Sequence, residues 1–461
     1  MSIRKWRVKT ACCLLAVLFS AEGEAQNLNQ KLSSAWAGFA ARPQLRHAAV
    51  SLSVIDVNTG QVIFSKNGDE GLAPASTLKT LTSITALYQL GADYRFKTRL
   101  ATNGTVDASG TLNGDLIICG GNDPSLGSWR WEETKEGNVL NAFVTAIRQA
   151  GIRKISGAVI GEGENHFPPG WIWQDLGNYY GAAPNELCWR ENQYDIHLRT
   201  GRPGSAVQFL KTVPLMPYLT YRSELRSGRA GSGDNAYARL PVNNSLVLLQ
   251  GTYAIDESKK RISAAIPDPA YDAALRLSDT LKKIGIAISG QPRTQKAGVK
   301  TARTLAVHQS PELGSLIYWL NKKSINLYAE QMLRSTGDSA RTENPIAFLK
   351  TFWQQKGIDS LTLNIQDGSG LSPGNRIATL SLARVLQQAK SESWYPVFFE
   401  SLPLYNNMHM KSGSISDVLA YAGYHTAPGG REVCFSLIVN NYSGSSSGMR
   451  SAMFTLLNAL K

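Results

Sequence analysis

The sequence predicts an α+β protein in which both ends of the chain build one domain around a large, mostly β insertion. Near the N-terminus a helical pattern is followed by a two-stranded pattern and a second helix. The middle of the chain is rich in Gly, Pro, Tyr and Trp and holds short strand-like runs. Helical patterns return from about residue 310 and are followed by two strands and a last helix. Because both ends of the chain combine helix and strand patterns, we expect them to build one α+β domain together.

The N-terminal elements follow from the spacing of apolar residues. Residues 28–42 have helical periodicity, and 49–67 read as two strands joined at Asn58, Thr59 and Gly60, which is a hairpin signal. From Leu78 onward apolar residues recur at helical spacing until a glycine at the expected helix end. These elements would belong to a domain formed by 26–100 and 301–461, with 101–300 inserted.

The C-terminal elements complete that domain. Residues 311–323 are predicted to be a helix, and a second helix is predicted to start at Ser324. Residues 408–414 read as an edge strand, and 433–439, apolar on both faces, as a central strand. The last residues, from 447, are predicted to form a closing helix.

The first 25 residues are typical of a secretory signal peptide. A basic start precedes a short apolar run, 11–20, and small residues stand before Gln26 as at a cleavage site. The run is too short to span a bilayer, and no later stretch is apolar enough to do so. We therefore expect an exported protein that does not span the membrane and is located in the periplasm.

Composition restricts the partners and cofactors. The net charge of +13 suits an anionic surface such as cell-wall polymer or lipid head groups, although a generally basic proteome explains it equally well. No basic block contains interleaved aromatic residues, so nucleic acid is not expected. Beyond the leader, Cys119, Cys188 and Cys434 form no CxxC pair, and neither HExxH nor GxxxxGK occurs. No metal and no cofactor are expected.

Ser76 and Lys79 form an S-x-x-K motif at the start of the second predicted helix. The motif is weak on its own, because the leader contains a copy at Ser2 and Lys5. On spacing alone a helix cap at Ser76 with a solvated Lys79 is the better interpretation. In the alternative, a neutral lysine on the same helix face takes the proton of Ser76 as it attacks a carbonyl. Neutrality requires burial or a second nearby cation.

Two more motifs follow in order. Ser324 and Asn326 form S-x-N between two predicted helices, where a capping serine is an equally good interpretation. Lys411, Ser412 and Gly413 lie on the predicted edge strand, where a lysine can simply prevent edge-to-edge aggregation. Three weak motifs in this order, each in a fitting local structure, are much stronger together than separately.

These motifs resemble those of the penicillin-recognising serine enzymes, which include D-alanyl-D-alanine peptidases and serine β-lactamases. Ser76 and Ser324 are 248 residues apart, a separation similar to that of the class C low-molecular-mass penicillin-binding proteins, the D-alanyl-D-alanine carboxypeptidase/endopeptidase family (peptidase family S13). The resemblance covers roughly residues 30–461. The segments that also look like that family are 114–126, 169–182, 310–333 and 367–372.

The resemblance implies a role for each residue of the first two motifs. Ser76 would be the acylated nucleophile and Lys79 its base. Ser324 would relay the proton to the leaving D-alanine amine. Asn326 would hold a backbone amide of the substrate and help to fix Lys79.

The third motif is implied to bind the substrate. Lys411 would attract the terminal carboxylate of the substrate and help Lys79 to lose its proton. The hydroxyls of Ser412 and Ser414 would lie nearby, with Gly413 between them. The backbone N–H groups of Ser76 and Ser414 would form the oxyanion hole.

The implied protein has a penicillin-binding, β-lactamase/transpeptidase-like domain, with an antiparallel sheet flanked by helices. It would be a serine-type D-alanyl-D-alanine carboxypeptidase and endopeptidase that acts on peptidoglycan stem peptides and cross-links. β-Lactams would be covalent inhibitors, and a homodimer is possible. The alternatives are a serine β-lactamase, which the large insert disfavours, and a non-catalytic peptidoglycan-binding scaffold, which the intact motifs disfavour.

Three positions depart from the family pattern. Ile325 stands where Asp is common, and Ser412 replaces the commoner threonine but keeps the hydroxyl. The family often has an Asp at the place of Gly163, where it contacts the amino group of the substrate's diamino acid. Here Gly163 lies between Glu162 and Glu164. Selectivity for the substrate side chain is therefore expected to be different or weaker.

Overall fold

The computed structural model describes residues 27–241 and 244–461, so the predicted signal peptide lies outside the described residues. The chain forms two compact units. The first takes the described residues up to Thr85 together with Ile346–Ile365 and Pro373–Lys461, and the second takes Ala86–Pro345 and Gln366–Ser372. Both ends of the chain thus build the first unit. The predicted inserted segment, 101–300, lies within the second unit, and its domain boundaries stay a prediction.

An antiparallel sheet of six strands forms the centre of the first unit. The N-terminal hairpin joins the C-terminal strands, because Ala49 is paired with Asn440 across two neighbouring strands. Ala49–Asp56 and Val62–Lys66 are antiparallel neighbours, which confirms the hairpin, and the antiparallel sheet with its helices confirms the α+β class. The strands lie in the order Val62–Lys66, Ala49–Asp56, Glu432–Asn440, Val418–Thr426, Met408–Ile415 and Leu404–Tyr405.

Helices contact the sheet of the first unit. A buried apolar cluster joins the helical residues 27–40 to the last helix, Ser446–Leu457, through sheet residues such as Phe435 and Leu437. The helix Thr379–Ala389 contacts the two central strands. The closing helix and the central strand are confirmed. The other helices that begin or lie in this unit are Leu78–Leu90, Pro345–Gln355 and Tyr395–Ser401, and a small sheet is formed by Gly71–Leu72, Leu363–Asn364 and Arg376–Ala378.

The second unit contains more helix than the sequence analysis predicted between 101 and 300. Two amphipathic helices, Glu136–Gln149 and Pro269–Lys283, share an apolar core with two sheets. Asp268 caps the second helix by accepting a hydrogen bond from the Tyr271 N–H at 2.9 Å. The strands of these sheets are Lys97–Thr102, Leu116–Cys119, Val159–Glu162, Arg293–Gln295 and Arg303–Gln309 in one, and Thr105–Val106, Thr111–Asn113, Lys154–Ile155 and Ala287–Ile288 in the other.

Two further sheets and two further helices complete the second unit. The helices are Leu313–Lys323 and Asn326–Ser339, so the second of them starts two residues later than predicted. The sheets share one apolar core. Their strands are Gln193–Arg199, Gln208–Val213 and Arg261–Ala265 in the first sheet, and Thr220–Ser223, Arg226–Gly228, Asp234–Arg239 and Leu246–Ala254 in the second. Within the described ranges, no helix combines the length and apolar character that a bilayer crossing requires.

A buried carboxylate fixes the core of the second unit. The Glu191 side chain is fully buried and accepts hydrogen bonds from Arg130 Nε at 2.6 Å, Ser128 Oγ at 2.7 Å and the Tyr328 hydroxyl at 2.8 Å. Removing one partner of a buried ion pair leaves the other charge uncompensated. This carboxylate is therefore a strong stability determinant.

We expect Glu191→Gln to lower the free energy of unfolding by about 3 kcal/mol, because it leaves the largely enclosed Arg130 charge without its counter-ion. Thermal unfolding followed by circular dichroism measures the change. The matched control is Glu132→Gln, which breaks the exposed pair with Lys135 and should leave the unfolding midpoint close to that of wild type, because water screens exposed pairs. Equal midpoints for the two variants would contradict the assignment.

Candidate active site

Ser76 lies in a short 3₁₀ turn, Ala75–Thr77, that leads directly into the helix Leu78–Leu90. The residue at the cap position is Pro74, and no side chain caps the turn. Instead, the Ser76 hydroxyl is hydrogen-bonded to Lys79 Nζ at 3.0 Å. Lys79 is fully buried. The alternative of a capping serine beside a solvated lysine is therefore wrong.

Lys79 and Lys411 form a pair of buried lysine side chains within the first unit. Their exposed fractions are 0% and 1%. Burial, and then the positive charge of Lys79, lower the pKa of Lys411 well below its ordinary value. Because repulsion between like charges is mutual, the pair as a whole loses a proton more easily than an isolated lysine does. The site therefore holds a lysine pair in which one of the two amines can be neutral.

The strand Met408–Ile415 carries the third motif against the turn that holds Ser76. A Cβ atom on Gly413 would lie 2.6 Å from the Pro74 carbonyl oxygen and 2.9 Å from the Ser76 nitrogen, so only glycine fits there. The short strand Leu404–Tyr405 covers only Met408 and His409. The motif thus lies at the edge of the sheet, as predicted.

The third motif has a buried lysine and more accessible serines. Lys411 Nζ donates a hydrogen bond to the Ser412 carbonyl at 2.8 Å. Since Lys411 is buried, it does not protect the strand edge from aggregation, and that alternative is wrong. Ser412 is half-buried and Ser414 is exposed. Ser412 and Ser414 are therefore the accessible residues of this edge.

The backbone just before Ser76 is strained. Ala75 has a φ of +45°, in the left-handed region that residues with a side chain rarely adopt. Such a conformation costs about 1–3 kcal/mol and persists only when the surrounding structure enforces it. Ala73, Ala75 and Val418 share a small apolar cluster beside the turn. Strain at such a point is a common feature of reactive sites, and no residue pattern near Ala75 had indicated it.

We expect Gly413→Ala to slow acylation of Ser76 by about 100-fold, because the added methyl group pushes the turn away by a fraction of an ångström. The rate of labelling by a fluorescent penicillin measures this effect. Gly38→Ala is the matched control, since no atom lies within 4 Å of a Cβ at that helical position. If Gly413→Ala were labelled as fast as Gly38→Ala, the close approach of strand and turn would have no catalytic importance.

The second motif belongs to the second unit. Ser324 ends the helix Leu313–Lys323 in a left-handed conformation, with φ +56°, and is not an N-cap. Asn326 is the first residue of the next helix, and its Nδ2 donates to the Tyr180 carbonyl at 2.7 Å. The motif lies between two helices, as predicted. The roles of both residues toward Ser76 stay predictions.

Two carboxylates that the sequence analysis did not single out hold the segment 367–372 in the second unit. Glu330 accepts hydrogen bonds from the Gly368 and Ser369 N–H groups at 2.9 and 2.8 Å. Asp367 accepts one from Trp171 Nε1 at 2.9 Å. Both carboxylates are buried. Glu330 could have been noticed as an acidic residue among the apolar and small residues of the helix Asn326–Ser339.

Gly163 occupies a position that excludes any side chain. A Cβ atom there would lie 2.2 Å from Asn185 Oδ1. Of the flanking carboxylates, Glu162 is buried and accepts from the Gly298 N–H at 2.7 Å, and Glu164 pairs with Lys296 at 2.8 Å. Both neighbouring acids are therefore already engaged within the protein.

The fold is that of the penicillin-binding serine enzymes. The structure is similar to the crystal structure of penicillin binding protein 4 (dacB) from Haemophilus influenzae, with a TM-score of 0.74 and 23% identity, covering 94% of this chain and 97% of that chain. A second structure of the Haemophilus protein, complexed with a novel β-lactam, gives a TM-score of 0.70 at 23% identity and covers 94% of this chain and 98% of that one.

The chain belongs to the D-Ala-D-Ala carboxypeptidase 3 (S13) family, whose sequence profile matches residues 29–406. It is 25% identical over 439 residues to the D-alanyl-D-alanine carboxypeptidase of Actinomadura sp. (strain R39), covering 87% of this chain and 79% of that protein. It is 27% identical over 423 residues to D-alanyl-D-alanine carboxypeptidase DacB of Haemophilus influenzae, covering 84% of each. The protein is therefore a hydrolytic peptidase of the D-alanyl-D-alanine carboxypeptidase type.

The matched range contains the first two motifs and ends before the third. Ser76, Lys79, Ser324 and Asn326 lie inside residues 29–406. Lys411 lies beyond them, and its link to the site rests on its burial beside Lys79.

Proposed function

We propose that this carboxypeptidase releases the terminal D-alanine of peptidoglycan stem peptides through an acyl-enzyme on Ser76. The observation that carries the proposal is the 3.0 Å hydrogen bond between Ser76 Oγ and the fully buried Lys79 amine. A nucleophilic hydroxyl needs a base within hydrogen-bond reach, and a buried lysine beside a second lysine can be neutral. The same acyl-enzyme chemistry on cross-linked stem peptides would make the protein an endopeptidase.

In the acylation step, Ser76 Oγ attacks the carbonyl carbon of the penultimate D-alanine. The Ser76 proton passes to the neutral Lys79 amine, and a tetrahedral intermediate forms. The N–H groups of Ser76 and Ser414 would bind its oxyanion. The carbon–nitrogen bond then breaks, and the leaving amine receives a proton through Ser324.

In the deacylation step, water attacks the ester carbonyl and regenerates the Ser76 hydroxyl. A bound substrate carboxylate would favour the charged form of Lys411 and would pair with it beside the hydroxyls of Ser412 and Ser414. Asn326 would hold a backbone amide of the stem peptide. With no side chain at Gly163 and both neighbouring acids engaged, we expect weak selectivity for the diamino acid.

β-Lactams would acylate the same serine because they offer a reactive amide beside a carboxylate. The β-lactam complex of the Haemophilus structure supports this expectation. The peptidoglycan substrate and the leader-like N-terminus favour export to the periplasm. The homodimer stays a prediction.

The test is incubation of the purified protein with a stem pentapeptide and with a cross-linked muropeptide dimer, analysed by mass spectrometry. We expect the pentapeptide to lose one D-alanine and the dimer to be cleaved, and benzylpenicillin to block both reactions. Rapid hydrolysis of benzylpenicillin without D-alanine release would instead identify a β-lactamase. Absence of both reactions would identify a scaffold.

A further inference from the structure

Asn440 is the last residue of the central strand of the first unit, and its side chain reaches the segment before Ser76. The Ala73 N–H donates to Asn440 Oδ1 at 2.8 Å, and Asn440 Nδ2 donates to the Ala73 carbonyl at 3.1 Å. The Asn440 backbone is paired with Ala49 on one side and Val418 on the other. Because its backbone is paired on both sides, Asn440 holds its side chain in a fixed position and can serve as a rigid support.

Ala73 lies three residues before Ser76, and the intervening backbone transmits its position to the turn. Pro74 has a restricted φ, and Ala75 holds the strained φ of +45°. Ala73 is buried, so its N–H and carbonyl groups need partners inside the protein. Asn440 supplies both partners at once.

The amide of Asn440 is the chemical group that this arrangement requires. An amide donates and accepts, as a peptide group does, whereas a carboxylate only accepts and a methyl group does neither. Aspartate at position 440 would place a charged oxygen against the Ala73 carbonyl oxygen. The turn is thus approached closely by Gly413, and the segment that leads into it is held by Asn440.

We propose that Asn440 is a positioning residue, which holds the strained turn so that the Ser76 hydroxyl stays in its reactive geometry. This inference rests on the proposed role of Ser76 as the nucleophile. Asn440 does not touch the substrate in this proposal. Its loss should therefore reduce the acylation rate and kcat more than it changes KM.

Asn441 offers a matched control in the next position. Its Nδ2 also donates to a backbone carbonyl, that of His47 at 3.0 Å. Its φ of +59° is one that asparagine and aspartate tolerate better than most residues. Asn440→Asp and Asn441→Asp thus make the same chemical change and lose the same kind of hydrogen bond. Only Asn440→Asp loses a hydrogen bond to the segment that leads into Ser76.

The experiment measures three quantities on the full-length protein and on both variants: the second-order rate constant for labelling by a fluorescent penicillin, kcat and KM for D-alanine release, and the melting temperature. We expect Asn440→Asp to reduce the labelling rate and kcat by about 10- to 100-fold, with KM within about threefold of wild type. Asn441→Asp should stay within about twofold of wild type in both rates. Equal losses in the two variants, or a wild-type labelling rate for Asn440→Asp, would overturn the proposal.

Two further variants keep the outcome interpretable. If Asn440→Asp does not fold, Asn440→Ala is judged by the same criteria, because it removes both hydrogen bonds without adding charge. Ser76→Ala separates this inference from the proposed function. Labelling that does not depend on Ser76 would refute the nucleophile itself, whereas Ser76-dependent labelling at a normal rate in Asn440→Asp would refute only the positioning role.

Discussion

Ser76→Ala should abolish covalent labelling by a fluorescent penicillin and reduce D-alanine release by at least about 1,000-fold, because it removes the hydroxyl that we propose as the nucleophile. The melting temperature should stay close to that of wild type, since the substitution removes one half-buried hydroxyl. Gel fluorescence after denaturation measures the labelling, and a coupled D-amino acid oxidase assay measures the release.

The matched control for this variant is Ser414→Ala, which removes an exposed hydroxyl on the edge strand but keeps the backbone N–H. It should still be labelled, at a rate reduced by no more than about tenfold. Full labelling of Ser76→Ala would place the nucleophile elsewhere in the chain.

Lys411→Met should raise the stability of the protein at neutral pH while it lowers the acylation rate by about 100-fold or more. The pKa of Lys411 is lowered in the folded state by burial and by Lys79, so folding favours loss of its proton. At pH values between the folded-state pKa and the ordinary lysine pKa of about 10.4, Lys411 binds more protons in the unfolded chain than in the folded one. Stability therefore rises with pH across that range, and the cost of the buried charge is present below it.

Methionine fills a similar volume without charge and removes this cost, so the free energy of unfolding should rise by about 1 kcal/mol or more at pH 7. The gain should shrink as the pH approaches 10. Lys66→Met, at an exposed position in the same sheet, should change the stability by less than about 0.5 kcal/mol. Thermal melts of the three proteins from pH 6 to pH 10 measure the difference, and a lower midpoint for Lys411→Met at pH 7 would contradict the argument.

Local patterns in the sequence were sufficient to predict several elements of the first unit. The hairpin Ala49–Lys66, the central strand and the closing helix each have an apolar period that matches their structure. The two helices Glu136–Gln149 and Pro269–Lys283 were missed, because the surrounding Gly- and aromatic-rich composition favoured strands. The second helix start was placed too early because Ser324 adopts a left-handed conformation that is uncommon for serine.

The sequence predicted residue types for the candidate site but not its supporting contacts. The order of the three motifs, which resembles that of a known family, indicated Ser76, Lys79 and Lys411, and their catalytic roles stay predictions. The catalytic interpretation also required Lys79 to face inward near Lys411, and the structure shows Lys79 fully buried. The Asn440–Ala73 contact joins residues 367 positions apart, and an asparagine ending an apolar strand does not reveal which backbone it holds.

The most direct test of the central claim is to locate the covalent bond formed with a β-lactam. The intact protein is treated with benzylpenicillin, quenched in acid, digested, and analysed by tandem mass spectrometry. We expect a single penicilloyl group on the hydroxyl of Ser76. After the same short exposure, we expect no penicilloyl group on the protein that carries Lys79→Met. A penicilloyl group on any other residue, or an unmodified Ser76 after prolonged exposure, would contradict the central claim.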